Sequence, residues 1–155
     1  MKKQGFTLIE LLIVVAIIGI IAAIAIPNLM VALQKGKQKS TMGDIASVGT
    51  AIESYIVDWA IAPGPGSNFV ADLDQSWFIP FYIKVLSTRD SWGTLLSYTS
   101  GAGNNFDLYS VMSWGKNRID DSMAMGEYPV VTMLDFDKDI VFSNGRFTIF
   151  PITRR

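Results

Sequence analysis

The chain has 155 residues, 13 basic and 14 acidic side chains, a formal net charge of −1, no cysteine and no histidine. The length fits one domain with an appended segment, and the near-neutral balance argues against a sequence-independent grip on nucleic acid. The missing residue types exclude disulfides, thiolate nucleophiles, Cys-ligated metals and the usual general base. No Gly-rich phosphate loop or activated hydroxyl is recognisable either, so no enzyme is expected.

The chain opens with a greasy head. Of the 28 residues at positions 6–33, 23 are apolar, and 11–26 carries no polar side chain. As a helix, positions 6–26 rise about 32 Å, enough to cross a hydrocarbon core of about 30 Å. Three readings compete. A secretory signal peptide fits Lys2, Lys3 and the Ala23-Ile24-Ala25 triplet, but the apolar run is too long and contains Glu10. A plain single-pass anchor fits the length and leaves Glu10 as a liability, because a carboxylate within a span costs roughly 2.5–3.5 kcal/mol near its centre. Lys3 is then its bland partner. The third reading supplies a new N-terminal amine by cleavage between Gly5 and Phe6, one helical turn before Glu10.

Residues Met1-Lys2-Lys3-Gln4-Gly5-Phe6-Thr7-Leu8-Ile9-Glu10-Leu11-Leu12 resemble the start of the type IV pilin and type II secretion pseudopilin superfamily. The shared pattern is a short basic leader ending in Gly, then Phe-Thr-Leu-x-Glu and a long apolar helix. The resemblance implies cleavage after Gly5 by a prepilin peptidase, N-methylation of Phe6, and a role for Glu10 in docking subunits into a helical filament. Lys2 and Lys3 favour an inside N-terminus, whereas Lys35, Lys37 and Lys39 weaken that assignment. The resemblance implies N-in, with the body in the periplasm.

Pro27 follows the apolar run directly. Proline removes a helical hydrogen bond and clashes with the preceding turn, so it either begins a separate helix or marks a hinge in a continuous one, as the family resemblance suggests. From Asn28 the pattern stays helical. Ile45, Val48, Ile52, Tyr55, Ile56 and Trp59 form a stripe expected to pack on a sheet, away from Asp44, Glu53 and Asp58. Lys35, Lys37 and Lys39 read as a solvated collar, with lipid headgroups as the alternative. Pro63-Gly64-Pro65-Gly66 is expected to stop the helix.

Beyond it the period changes. Short runs at 95–99, 106–112, 128–134, 139–142 and 146–152 are rich in β-branched and aromatic residues. Turn sequences at 101–105 and at Ser143-Asn144-Gly145 separate two pairs of them. The expected fold is α+β: a long N-terminal helix, its first half membrane-spanning, packed on a small antiparallel sheet. The apolar stretch 77–86, with Pro80 inside, is expected to cover the sheet edge. The expected divisions are 1–5 leader, 6–26 membrane and filament-core helix, 27–62 amphipathic continuation, and 63–155 periplasmic body.

The body resembles the major pseudopilin of type II secretion in patches. Residues 44–55 with Asp58 are similar to its helix. Asp90-Ser91-Trp92-Gly93 resembles its Asp-Pro-Trp-Gly turn, and Phe106-Asp107-Leu108-Tyr109-Ser110 its Tyr-Asp-Leu-Tyr-Ser strand. That resemblance implies a calcium site after the strand, with Asp120 and Asp121 where the acidic pair falls and the carbonyl of Val111 or Ile119 beside them. Calcium takes six to eight oxygen ligands. Met112-Ser113-Trp114-Gly115 departs from the family's Gly-x-Asp-Gly turn, with Trp114 where a ligand carboxylate belongs, so an acidic surface loop is the alternative. Asp135, Asp137 and Asp139 are not an EF-hand, because Ile140 and Arg146 occupy its glycine and glutamate positions. They are expected to form one solvated strand face. The four tryptophans are expected in the core or in subunit contacts.

The resemblance therefore implies a structural filament subunit of a type II secretion pseudopilus in the bacterial inner membrane, or alternatively a type IV pilin for adhesion, motility or DNA uptake. Its implied partners are copies of itself, the prepilin peptidase, an assembly ATPase, an inner-membrane platform and minor pilins or pseudopilins. Phe6, Glu10 and Pro27 carry assembly, calcium is the one cofactor implied, and no specific nucleic acid is expected.

Overall fold

The computed structural model describes residues 5–64, 68–101, 107–121 and 136–150. The chain divides into two units, residues 1–34 and 35–155. A single helix, α1 (Leu8–Trp59), runs through Pro27.

In the first unit α1 is apolar on every side. From Leu8 to Leu29 its large apolar side chains are 46–80% exposed. Burying each such side chain is worth roughly 1.5–3 kcal/mol, so the run strongly favours lipid or other protein over water. One 18-residue window of α1 reaches a mean hydropathy of 3.1, which is long and apolar enough to cross a membrane.

In the second unit α1 packs on a four-stranded sheet. Its strands are β1 (Ser97–Ser100), β2 (Tyr109–Ser113), β3 (Ile140–Ser143) and β4 (Arg146–Ile149), antiparallel in chain order. These four correspond to expected strands. The expected strand at 128–134 lies outside the described residues, as do 102–105 of the first hairpin turn and the first residue of the strand expected at 106–112. The second hairpin is tight: Ser143 pairs with Arg146, and Asn144 and Gly145 have φ of 49° and 78°. Positive φ at both central residues is the signature of a type I′ turn, which Asn-Gly favours.

Ile45, Val48 and Ile52 are fully buried, and Tyr55 and Ile56 pack against the same cluster. Tyr109, Val111 and Ser113 alternate inward from β2, the period-two pattern of a half-covered strand. Two departures from the expected stripe have local causes. Trp59 is 65% exposed because it lies in the last turn, stacked on Tyr55 rather than on the sheet. The helix also stops before the Pro-Gly repeat. Ala60 has a φ of 55°, and its N–H bonds the Ile56 carbonyl at 2.7 Å, so a left-handed residue closes the last turn. The stretch 77–86 packs on α1: Tyr55 contacts the rings of Trp77, Phe78 and Tyr82.

Two tyrosines pin the layers together. The Tyr109 hydroxyl donates to the Gly49 carbonyl, and the Tyr98 hydroxyl donates to the Pro63 carbonyl at 2.7 Å. Burial pushes both phenols well above their usual range.

Candidate functional site

Gly5, Phe6 and Glu10, the residues expected to carry processing and assembly, lie at or just before the start of α1. Gly5 is exposed, and a side chain built there meets nothing within 4 Å. Packing therefore does not demand glycine at this position. Phe6 is 85% exposed. The next residue, Thr7, is the N-cap of α1. Its backbone N–H donates to Glu10 Oε2 at 2.9 Å, its hydroxyl donates to the same oxygen at 2.6 Å, and the Glu10 N–H reaches Thr7 Oγ1 at 3.4 Å. This reciprocal arrangement is a capping box, which satisfies orphan donors of the first helical turn.

Glu10 thus has a partner that the sequence reading did not name. Lys3 lies outside the described residues. The signal is present in the sequence as Thr7-x-x-Glu10 before an apolar run. Both bonds from Thr7 fall on Oε2, and Oε1 has no hydrogen-bond partner among the described residues. The carboxylate is therefore oriented at one oxygen and open at the other.

Pro27 lies inside α1, where it deprives the Ala23 carbonyl of the N–H four residues on. Beside it, Asn28 Nδ2 donates to the Ile24 carbonyl at 3.1 Å. The helix continues across the proline with a backbone bond missing.

The acidic corner of the body differs from the expected one. Asp121 N–H donates to Asp139 Oδ2 at 3.2 Å, and Lys138 Nζ lies 3.6 Å from Asp121 Oδ2. Asp137 is exposed, whereas Asp139 is only 1% exposed, so the expected solvated face is corrected at that residue. Residues 136–139 are not strand, which removes the alternation on which that expectation rested. Asp135 lies outside the described residues. Burial raises the Asp139 carboxyl to about 6, with the Asp121 and Asp120 charges adding to the rise and Lys138 opposing it.

Asp121 Oδ2 and Asp139 Oδ1 are buried without a hydrogen-bond partner. Among the described residues no three acidic groups gather as metal ligands, the Trp114 side chain supplies no oxygen, and the Lys138 ammonium lies beside Asp121.

Next to it, Asp90 organises the turn that joins sheet to helix. The buried carboxylate accepts from Trp92 N at 3.0 Å, Thr94 N at 2.8 Å and Ser113 Oγ at 2.8 Å. Ser91 N donates to Thr41 Oγ1 of α1 at 3.0 Å, and Arg118 Nη2 donates to the Trp92 carbonyl at 2.7 Å. Asp90-Ser91-Trp92-Gly93 is thus a structural clasp, with Gly93 at a φ of 88°.

Comparison with known proteins matches these features. The family model described as the prokaryotic N-terminal methylation motif covers residues 1–26. A type II secretion system core protein G of Pseudomonas aeruginosa is 32% identical over 132 residues, 79% of this chain and 92% of that protein. The protein of the same name from Klebsiella michiganensis is 36% identical over the same shares. The type IV major fimbrial protein FimA of Dichelobacter nodosus is 48% identical over 56 residues, but this is 36% of each chain. The chain belongs to the type II secretion system core protein G family, the major pseudopilins.

Proposed function

We propose that this chain is the major-pseudopilin-like structural subunit of a type II secretion system, stored in the bacterial inner membrane and assembled into a periplasmic filament. The observation that carries the reading is the apolar first half of α1, uncovered on all sides and bearing one oriented carboxylate at its start. Lipid covers such a helix before assembly, and the helices of other copies cover it afterwards. The N-terminus lies in the cytoplasm and the body in the periplasm.

The chemistry follows from the first ten residues. A prepilin peptidase cuts after Gly5, which frees an ammonium on Phe6 that is then N-methylated. A buried carboxylate needs a cationic partner. The open Oε1 of Glu10 in one subunit accepts from the Phe6 ammonium of its neighbour, while Thr7 holds Oε2. Neutralisation before burial selects the register of each incoming subunit. Pro27 gives α1 a point at which it bends or loosens when packed. An assembly ATPase and its membrane platform add subunits at the base, and minor pseudopilins complete the filament. Lys138 offsets part of the charge of the acidic corner.

The type IV pilin reading shares all of this head. It is the weaker reading, because the similarity to the fimbrial protein covers about a third of each chain, while that to core protein G covers 79% of this one. The test is the culture medium of a clean deletion strain. Selective loss of secreted enzymes with surface pili intact supports the secretion role; an unchanged secretome with lost surface filaments overturns it.

A further inference from the structure

Charge is segregated along the part of α1 that belongs to the body. Lys35, Lys37 and Lys39 are exposed, and the positions three and four away from each hold no carboxylate. Lys35 and Lys39 are a like-charge pair at i and i+4, which weakens a helix. None of the three has an ion pair among the described residues.

The other end of the helix has the opposite imbalance. Asp58 lies in the last turn, which contains no basic residue, so its charge adds to the negative end of the helix dipole. Asp72 and Asp74 are exposed on the adjoining segment, which is tied to α1 by the rings of Tyr55, Trp77 and Tyr82. Asp58 accepts from the Tyr82 hydroxyl at 2.6 Å, and Lys84 is the one exposed ammonium on the segment 77–86. On the same segments Trp59 is 65%, Phe81 86% and Val85 76% exposed. Exposed apolar side chains in company with carboxylates have the character of a docking surface.

The two ends cannot satisfy each other within one body, because Lys39 and Asp58 lie about 29 Å apart along the helix. We propose that they dock head to tail between copies: the Lys35, Lys37 and Lys39 collar of one subunit seats on the Asp58, Asp72 and Asp74 end of a second copy of this chain. The ammonium groups meet the carboxylates while the lysine stems lie over the exposed rings. A head-to-tail contact that does not close into a ring propagates as an open filament. The inference rests on the filament reading above. It also fixes a geometric consequence. The partners are offset along the helix by about 29 Å, whereas a Glu10 to Phe6 contact between neighbours sets about 6 Å. The head-to-tail contact therefore joins subunits that are not consecutive.

The chain has no cysteine, so introduced pairs report without background. Full-length K39C/D74C, assembled into filaments and oxidised, is expected to give a ladder of disulfide-linked multimers; each single variant and the control pair K39C/T99C are not. Lys35→Glu with Lys39→Glu is expected to lower filament yield at least tenfold, with recovery when Asp58→Lys and Asp74→Lys are added. Filaments without the ladder, or a defect that the reciprocal reversal leaves unchanged, overturn the contact. A defect that follows the anionic lipid content of the membrane instead assigns the lysines to headgroups and also overturns it. If the parent chain forms no filament in the same assay, the filament reading itself falls, and this contact with it.

Discussion

The Tyr109 hydroxyl donates to the Gly49 carbonyl at 3.0 Å, tying β2 to the C-terminal part of α1. Glycine is required there for space. A side-chain carbon built on Gly49 collides with Cε1 and Cδ1 of Phe142, so the ring occupies the volume any other residue would need. Gly49→Ala is expected to destabilise the body by roughly 1–3 kcal/mol, the usual cost of overpacking. Thermal unfolding of the detergent-solubilised chain measures it. Phe142→Leu in the same chain should relieve part of the loss, because the two residues share one volume.

Asp90 supplies the second expectation. Its buried carboxylate accepts three hydrogen bonds, two of them from the turn that it closes. Asp90→Ala leaves the Trp92 and Thr94 N–H groups without their acceptor and should cost roughly 2–4 kcal/mol. Asp90→Asn keeps one acceptor oxygen and should cost less. Denaturant unfolding of the two variants beside the parent tests the order; equal losses would count against the clasp.

The buried Asp139 makes stability depend on pH. Its folded carboxyl titrates near 6, above the ordinary value of 3.8, so between these values the folded chain holds a proton that the unfolded chain has released. Stability therefore falls as pH rises from about 4 to about 6, and the penalty is fully present above that range. Asp139→Asn retains an acceptor for the Asp121 N–H and removes the charge. It should flatten this window and raise stability at neutral pH by roughly 1–3 kcal/mol. Melting curves of parent and variant from pH 4 to pH 7.5 decide it. A parent that gains stability with rising pH in that window would contradict the assignment.

Much of the architecture was legible because its signals are local. The Asn144-Gly145 turn needs two residues with positive φ, and Asn-Gly states that directly. Ile45, Val48 and Ile52 repeat at helical spacing and are fully buried. What was missed depends on tertiary context. Alanine carries no stop signal, yet Ala60 closes the helix in the left-handed region. Trp59 continues the apolar stripe in sequence but projects beyond the sheet. Asp139 shares a sequence parity with Asp137, but the chain between them is not a strand, so one carboxylate is exposed and the other buried. At the head, the expected roles of Gly5, Phe6 and Glu10 rest on the resemblance of the leader motif. Thr7 takes its role from the capping geometry with Glu10, whose only sequence signal is Thr7-x-x-Glu10.

The most direct test is Glu10→Ala in the full-length chain, scored in one experiment for processing, membrane insertion and filament yield. Cleavage reads the residues on either side of Gly5, and insertion depends on the apolar run, so both should remain at parent levels with a methylated Phe6 at the new N-terminus. Filament yield should fall by at least tenfold, since no carboxylate remains to receive the neighbour's ammonium. Parent-level filaments from the processed variant would contradict the central claim that Glu10 registers each subunit as it enters the filament.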